Sequence, residues 1–185
     1  PTEKVDGMSV TFWFDGDTLR MFTRNYEVDP MHPDWRDAYR LAQQYFTSRI
    51  GGLAVLDIGV DMCVQAEYAG PGINGNRQKL EDRDLFVFAV WAYGEKLPRD
   101  MWEDSFLNHA VPQLTDGGYE LTVDLDALLG TVDGMRGHIT PGVPDEGVVW
   151  HLDPTQPVPD TVREALGDNL CFKIINNSYL TRHHL

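Results

Sequence analysis

A lysine flanked by carboxylates opens the chain, in Glu3-Lys4-Val5-Asp6-Gly7. A lysine amine is a nucleophile only when uncharged, and with a free pKa of ~10.4 fewer than about one in a thousand is ready at neutral pH. A metal ion or a second cation close to the nitrogen disfavours the ammonium, the standard route to a reactive lysine. Lys4-x-Asp6-Gly7 is a short pattern that roughly one random chain in 25 of this length would carry at average residue frequencies. Taken alone, Lys4 reads more readily as an exposed strand-edge lysine than as a nucleophile, and the plainer reading of Asp6 is a residue that shapes the turn before Gly7. Two other candidates for chemistry fall away on inspection. Gly70-Pro71-Gly72-Ile73-Asn74-Gly75 spells a glycine-rich phosphate loop, but Pro71 sits inside it and no helix follows to aim its N-terminus at pyrophosphate. Cys63, Cys171 and the six histidines lack the spacing of a metal site or a disulfide framework.

The elements that must position Lys4 are readable from periodicity. Met8 to Phe14 alternates, with Val10, Phe12 and Phe14 on one side and Thr11 and Trp13 on the other, as a half-buried strand should. Asp15-Gly16 signals a hairpin and Leu19 to Thr23 returns, which places Lys4 at the hairpin mouth. From Pro33, residues Trp35, Ala38, Tyr39, Ala42, Tyr45, Phe46 and Ile50 recur at helical spacing up to a stop at Gly51-Gly52. Met62 to Ala69 and Asp84 to Trp91 read as strands, and Pro98 to Asn108 and Val123 to Val132 as short helices. A Gly/Pro-rich connection, Gly134 to Pro144, leads to a strand over Glu146 to Leu152. Asp160 to Leu166 is predicted as a helix capped by Asp160 and stopped at Gly167, and Asn169 to Ile175 as a last strand ending at Asn176-Asn177. The order is α+β, with mainly antiparallel sheets flanked by helices and no regular βαβ alternation.

Composition bounds the rest. With 185 residues, 42% of them hydrophobic, one compact domain with a sizeable core is expected. No run approaches transmembrane length and no secretory leader opens the chain, so the expectation is a soluble protein without a membrane partner. The formal charge of −14 argues against a broad, sequence-independent hold on a phosphate backbone. A nucleic-acid substrate would need a local basic patch or another domain. Two cysteines point to a reducing compartment, cytoplasmic or, for a viral protein, the host cytoplasm. The start at Pro1, with the first motif arriving at once, reads as a domain taken from a longer chain.

Further segments follow the lysine motif in order. They are Thr23-Arg24-Asn25, Gln65-Ala66-Glu67-Tyr68 running into the Gly70 to Asn76 loop, Asp84-Leu85-Phe86-Val87-Phe88, Glu146-Gly147-Val148-Val149-Trp150, and Phe172-Lys173-Ile174-Ile175-Asn176-Asn177-Ser178-Tyr179-Leu180. With Lys4-x-Asp6-Gly7, this series from Glu3 to Leu180 resembles the covalent nucleotidyltransferases, and within them the ATP-dependent RNA ligases that carry an OB domain ahead of the catalytic domain.

The resemblance implies an ATP-grasp-like ligase catalytic domain over residues 1–185, with an OB domain upstream. It implies that Lys4 takes AMP from ATP, that the AMP passes to an RNA 5′-phosphate, and that a 3′-hydroxyl displaces it to seal loose ends or a nicked duplex. It assigns Asp6 and Glu146 to a divalent metal, Mg2+ or Mn2+, for which carboxylates are suited. Arg24 is assigned to phosphate, Glu67 to ribose hydroxyls, Phe88 to the adenine face, and Lys173, a second catalytic cation, to the α-phosphate. The plainer readings are a surface arginine, a solvated strand residue, a core phenylalanine, and, for Glu146, the start of a strand. The wider superfamily often shows Lys-x-Lys where this chain has Lys173 and Ile175, which favours the RNA-ligase branch over a DNA ligase or a GTP-using capping enzyme. A non-catalytic nucleotide-binding module is the remaining alternative.

Overall fold

The structure, a computed structural model, describes residues 1–15, 18–47, 61–114, 124–152, 157–167 and 171–185. In chain order its elements begin with β1 (Thr2–Glu3), β2 (Met8–Asp15), β3 (Thr18–Thr23), α1 (Arg36–Phe46), β4 (Met62–Ala69), β5 (Asp84–Ala92) and β6 (Glu95–Lys96). There follow α2 (Asp104–Leu107), α3 (Leu125–Val132), β7 (Gly147–His151), α4 (Asp160–Leu166), β8 (Cys171–Ile175) and α5 (Asn177–His183). The named strands pair antiparallel throughout, as the predicted α+β class requires. The chain divides into two compact units, Pro1–Asp6 with Val111–Leu185, and Gly7–Ala110. None of the described helices is long and apolar enough to cross a membrane.

The Gly7–Ala110 unit is built on a five-stranded sheet in the order β3-β2-β4-β5-β6. Its buried face follows the alternation in the sequence: Val10, Phe12 and Phe14 of β2, Met21 of β3, Val64, Ala66 and Tyr68 of β4, and Leu85 and Val87 of β5. Across it α1 lays Ala38, Leu41, Ala42 and Phe46. The Phe46 ring meets Phe12 at 6.0 Å and Phe106 at 5.5 Å between centroids. Each buried phenylalanine contributes about 1.5–3 kcal/mol, so this side of the sheet is a committed core. The opposite face, with Thr11, Trp13, Glu67, Phe86 and Phe88, stays half-exposed.

In the Gly7–Ala110 unit, helix boundaries differ from the periodicity in two places. α1 starts at Arg36 because the N–H groups of Trp35 and Arg36 both reach the His32 carbonyl at 3.0 Å, a turn that absorbs Pro33. The predicted helix over Pro98 to Asn108 is broken by extended backbone at Trp102 and Glu103 (ψ 142° and 154°), leaving a 3₁₀ turn at Arg99–Met101 and the single turn α2. The turn residue Gly16, the stop at Gly51-Gly52, Val123 and Asn169 lie outside the described residues. The glycine-rich loop forms a 3₁₀ turn at Asn74–Asn76, with Gly75 at φ 72°, and opens no α-helix.

The other unit holds a three-stranded sheet, β1-β7-β8. Its core is Leu114, Leu128, Val132, Met135, Val148, Trp150 and Ile174, with Phe172 stacked on Trp150 at 5.4 Å. Asp124 caps α3 by accepting from the Asp126 and Ala127 N–H groups. Asp160 is the first residue of α4 rather than its cap, since Pro159 occupies the capping position, while Gly167 at φ 69° does end that helix. Asn176, read from sequence as a strand end, also starts α5, because its side-chain oxygen accepts from the Ser178 and Tyr179 N–H groups.

Candidate active site

Lys4 is seated by the small sheet. β1 pairs with β7, Thr2 opposite Val149 and Glu3 opposite Val148, and the Lys4 N–H continues the ladder to the Gly147 carbonyl at 2.9 Å. On the other side the Glu3 N–H donates to the Pro112 carbonyl at 3.0 Å. The hairpin β2–β3, expected to hold Lys4, lies in the other unit. A two-residue strand is too short for alternation to reveal. Glu3 anchors it from beneath: 2% exposed, its Oε2 accepts from the His138 and Ile139 N–H groups at 2.7 and 3.1 Å. Burial raises the Glu3 pKa, and those two backbone donors hold part of the rise back.

The Lys4 Nζ stands 2.5 Å from Glu146 Oε2, each side chain 16% exposed. Burial raises the Glu146 pKa, opposed by the charges of Lys4 and Lys173 and reinforced by Asp6. The four residues are thus one electrostatic cluster, two cations and two carboxylates. Lys173 lies exposed on β8, paired opposite Val149, as is Thr2. Asp6 Oδ2 accepts from the Tyr179 hydroxyl at 2.5 Å.

Backbone geometry holds Glu146 at the head of β7. Gly147 has φ 154°, and a Cβ there would fall 2.1 Å from the Ile174 carbonyl oxygen, so only glycine lets β7 and β8 close at this point. Asn176, fully buried, donates its backbone N–H to the Glu146 carbonyl at 2.9 Å and its Nδ2 to the Asp145 carbonyl at 3.0 Å. Its Oδ1 accepts from the N–H groups of Gly134, Ser178 and Tyr179. Below Glu146, Asp145 is 1% exposed, its carboxyl pushed up to about 8 by burial and by the like charge of Glu3. Glu3, Asp145, Asn176 and Tyr179 were not singled out as site residues from sequence. The only signals for them are membership of the quoted motifs and, for Asp145, an acidic pair ahead of an apolar strand.

The remaining candidates lie in the Gly7–Ala110 unit. Glu67 is half-buried on β4, paired with Ser9 of β2 and Phe86 of β5. Gly7, last residue of the lysine motif, runs against it: a Cβ would sit 2.5 Å from the Tyr68 carbonyl oxygen and 2.9 Å from Glu67 Cγ. Asn74 of the glycine-rich loop donates to the Gly7 carbonyl at 2.8 Å, which gives that loop a structural use. Phe88 is the extra residue of a β-bulge, since Gln65 pairs with Ala89 and Ala66 with Val87. Bulges re-aim side chains beside active sites, and Phe86 and Phe88 are both half-buried on the open face. Arg24 is exposed on the turn after β3.

Asp6 and Glu146 fit a hard divalent cation in donor type, and their like charges bear on one another. Among the described residues no three His, Cys, Asp or Glu side chains gather into a self-sufficient metal site. The donor set therefore matches an ion that takes most of its oxygens from phosphate and water, as Mg2+ characteristically does.

A family model described as RNA ligase matches residues 1–174. No curated protein matches the chain. Among solved structures it is similar to Naegleria gruberi RNA ligase with PPi (22% identity, TM-score 0.72, covering 99% of this chain and 50% of that one). It is similar also to mutants of that ligase with ATP and Mn (23%, 0.71, 99% and 50%) and with AMP and Mn (24%, 0.71, 99% and 51%). This chain spans about half the length of those ligases, and at these identities the likeness is one of fold. The family match, over a chain whose small sheet brings Lys4, Glu146 and Lys173 together with Asp6, makes this chain a member of the RNA ligase family.

Proposed function

We propose that this chain is the nucleotidyltransferase domain of an ATP-dependent RNA ligase, with Lys4 as the nucleophile. The observation that carries the reading is the seating of the Lys4 amine 2.5 Å from Glu146, in one cluster with Asp6 and Lys173. In the first step the Lys4 nitrogen bonds to the α-phosphorus of ATP, the bond from that phosphorus to the bridging oxygen breaks, pyrophosphate leaves and the amine gives up a proton. Lys173 holds the α-phosphate oxygens, a cation opposite developing negative charge. Arg24 binds phosphate, Glu67 accepts from the ribose hydroxyls, and Phe88 stacks on adenine. A divalent ion held by Asp6 and Glu146 would neutralise charge on phosphoryl oxygens.

In the second step an oxygen of an RNA 5′-phosphate attacks the lysyl-AMP phosphorus and the lysine departs. In the third, a 3′-hydroxyl attacks that 5′-phosphate, AMP leaves, and a phosphodiester forms. All three are phosphoryl-type transfers, for which positioning and charge neutralisation supply most of the catalysis. The charge of −14 leaves the grip on RNA to another part of the protein. We assign it to an OB domain, a fold suited to nucleic acid. The coverage of only about half of the similar ligases supports such a further domain. Incubation with α-labelled ATP or GTP and Mg2+ or Mn2+, followed by a denaturing gel, tests the reading: label from ATP that disappears in Lys4→Ala supports it. Label from GTP alone would point to a capping-type enzyme, and reversible binding without an adduct to a non-catalytic module.

A further inference from the structure

We infer that Tyr179 is a positioning residue for this nucleotidyl transfer, acting through Asp6; the inference rests on the metal role proposed above for Asp6. Tyr179 is fully buried, yet its hydroxyl donates to Asp6 Oδ2 at 2.5 Å. A carboxylate two residues beyond the nucleophile has several rotamers open to it, and a hydrogen bond from a rigid ring selects one. The ring is fixed in turn. Tyr179 lies in the first turn of α5, its N–H bonded to Asn176 Oδ1, and Asn176 also holds the Asp145 carbonyl and the Glu146 carbonyl. One capping asparagine therefore sets the head of β7, where Glu146 sits, and through Tyr179 the rotamer of Asp6. The two carboxylates are registered to each other by a path that leads through the end of the last strand rather than along the lysine motif. Partners of this kind behind a metal-binding carboxylate typically change metal affinity or activity by 10–100-fold.

Tyr179→Phe removes one oxygen and keeps the buried ring. The test is Mn2+ binding to the 185-residue chain without nucleotide, read by the electron paramagnetic resonance of free Mn2+, in wild type, Tyr179→Phe, Asp6→Asn and the double variant. Labelling by ATP is measured alongside as a function of Mn2+. The expected result is about tenfold weaker Mn2+ binding in Tyr179→Phe, the same shift in the Mn2+ dependence of labelling, and no further loss when Tyr179→Phe is added to Asp6→Asn. A merely structural tyrosine would lower the melting temperature and leave the Mn2+ dependence in place. Unchanged Mn2+ binding in Tyr179→Phe, or an equal loss in the Asp6→Asn background, overturns the inference while an ATP-labelled wild type keeps the functional reading. A wild type that neither binds Mn2+ nor takes label overturns both. Should Tyr179→Phe not fold, the Tyr179 Cζ resonance of the wild type decides: it moves on adding Mg2+ if the inference holds, and a resonance that stays in place refutes it.

Discussion

Asp145→Asn perturbs the buried floor under Glu146, and its effect can be worked from the structure. The Asp145 carboxyl is 1% exposed, and burial with the neighbouring Glu3 charge lifts its pKa from 3.8 to about 8. A raised acid binds a proton in the native state that the unfolded chain has released, so stability is greatest below about pH 4, falls as the pH rises toward about 8, and levels off above. Between pH 5 and pH 8 the loss spans three pH units at about 1.36 kcal/mol each, on the order of 4 kcal/mol. Asparagine carries no such proton. The variant's stability should therefore be flatter over this window by about that amount, with a residual slope of the same sign from Glu146 and Glu3, both also raised by burial. Urea unfolding at pH 5, 6, 7 and 8 in EDTA, followed by circular dichroism, measures both curves. Parallel curves for wild type and Asp145→Asn would refute the reasoning, as would a wild type with no slope.

Three further outcomes follow from the site. Glu146→Ala should reduce ATP labelling of the chain by more than about 100-fold, beyond the range of outer-shell partners. Phe88→Ala should raise the ATP concentration for half-maximal labelling by about tenfold, within the ~1–3 kcal/mol of a base stacked on an aromatic ring, and Phe86→Ala by less; equal effects would reassign the platform. Gly147→Ala should cost about 3 kcal/mol or more, since its Cβ would lie 2.1 Å from a carbonyl oxygen at a φ that L-residues rarely adopt. A melting temperature unchanged from wild type would contradict that.

Much of the fold was legible because burial in the large sheet follows a period of two. Val10, Phe12 and Phe14 face the core as their alternation requires, and Phe86 and Phe88 share the open face. The rejection of the glycine-rich loop as a phosphate cradle rested on Pro71 and the missing helix, and the loop proves to be a turn that holds Gly7. What escaped sequence reading depends on contacts far apart in the chain. β1 is held by β7 and by the Pro112 carbonyl, both far along the chain, so no local pattern reveals that this sheet, and not the hairpin, seats Lys4. The bulge at Phe88 is a property of pairing with β4 and leaves no mark on alternation. Asn176 is equally at home ending a strand and capping a helix, and does both. The Tyr179 hydroxyl is separated from Asp6 by 173 positions, and no local pattern announces where a buried ring directs its oxygen.

The claim on which the account turns is that Lys4 forms a phosphoramidate with AMP. Intact and peptide mass spectrometry after incubation with ATP and Mn2+ measures it directly, on wild type and Lys4→Ala. The expected result is the added mass of one AMP residue, acid-labile and alkali-stable, mapped to the peptide containing Lys4 and lost in the variant. An adduct on a different lysine, an adduct that survives in Lys4→Ala, or no adduct in a folded wild type would contradict it.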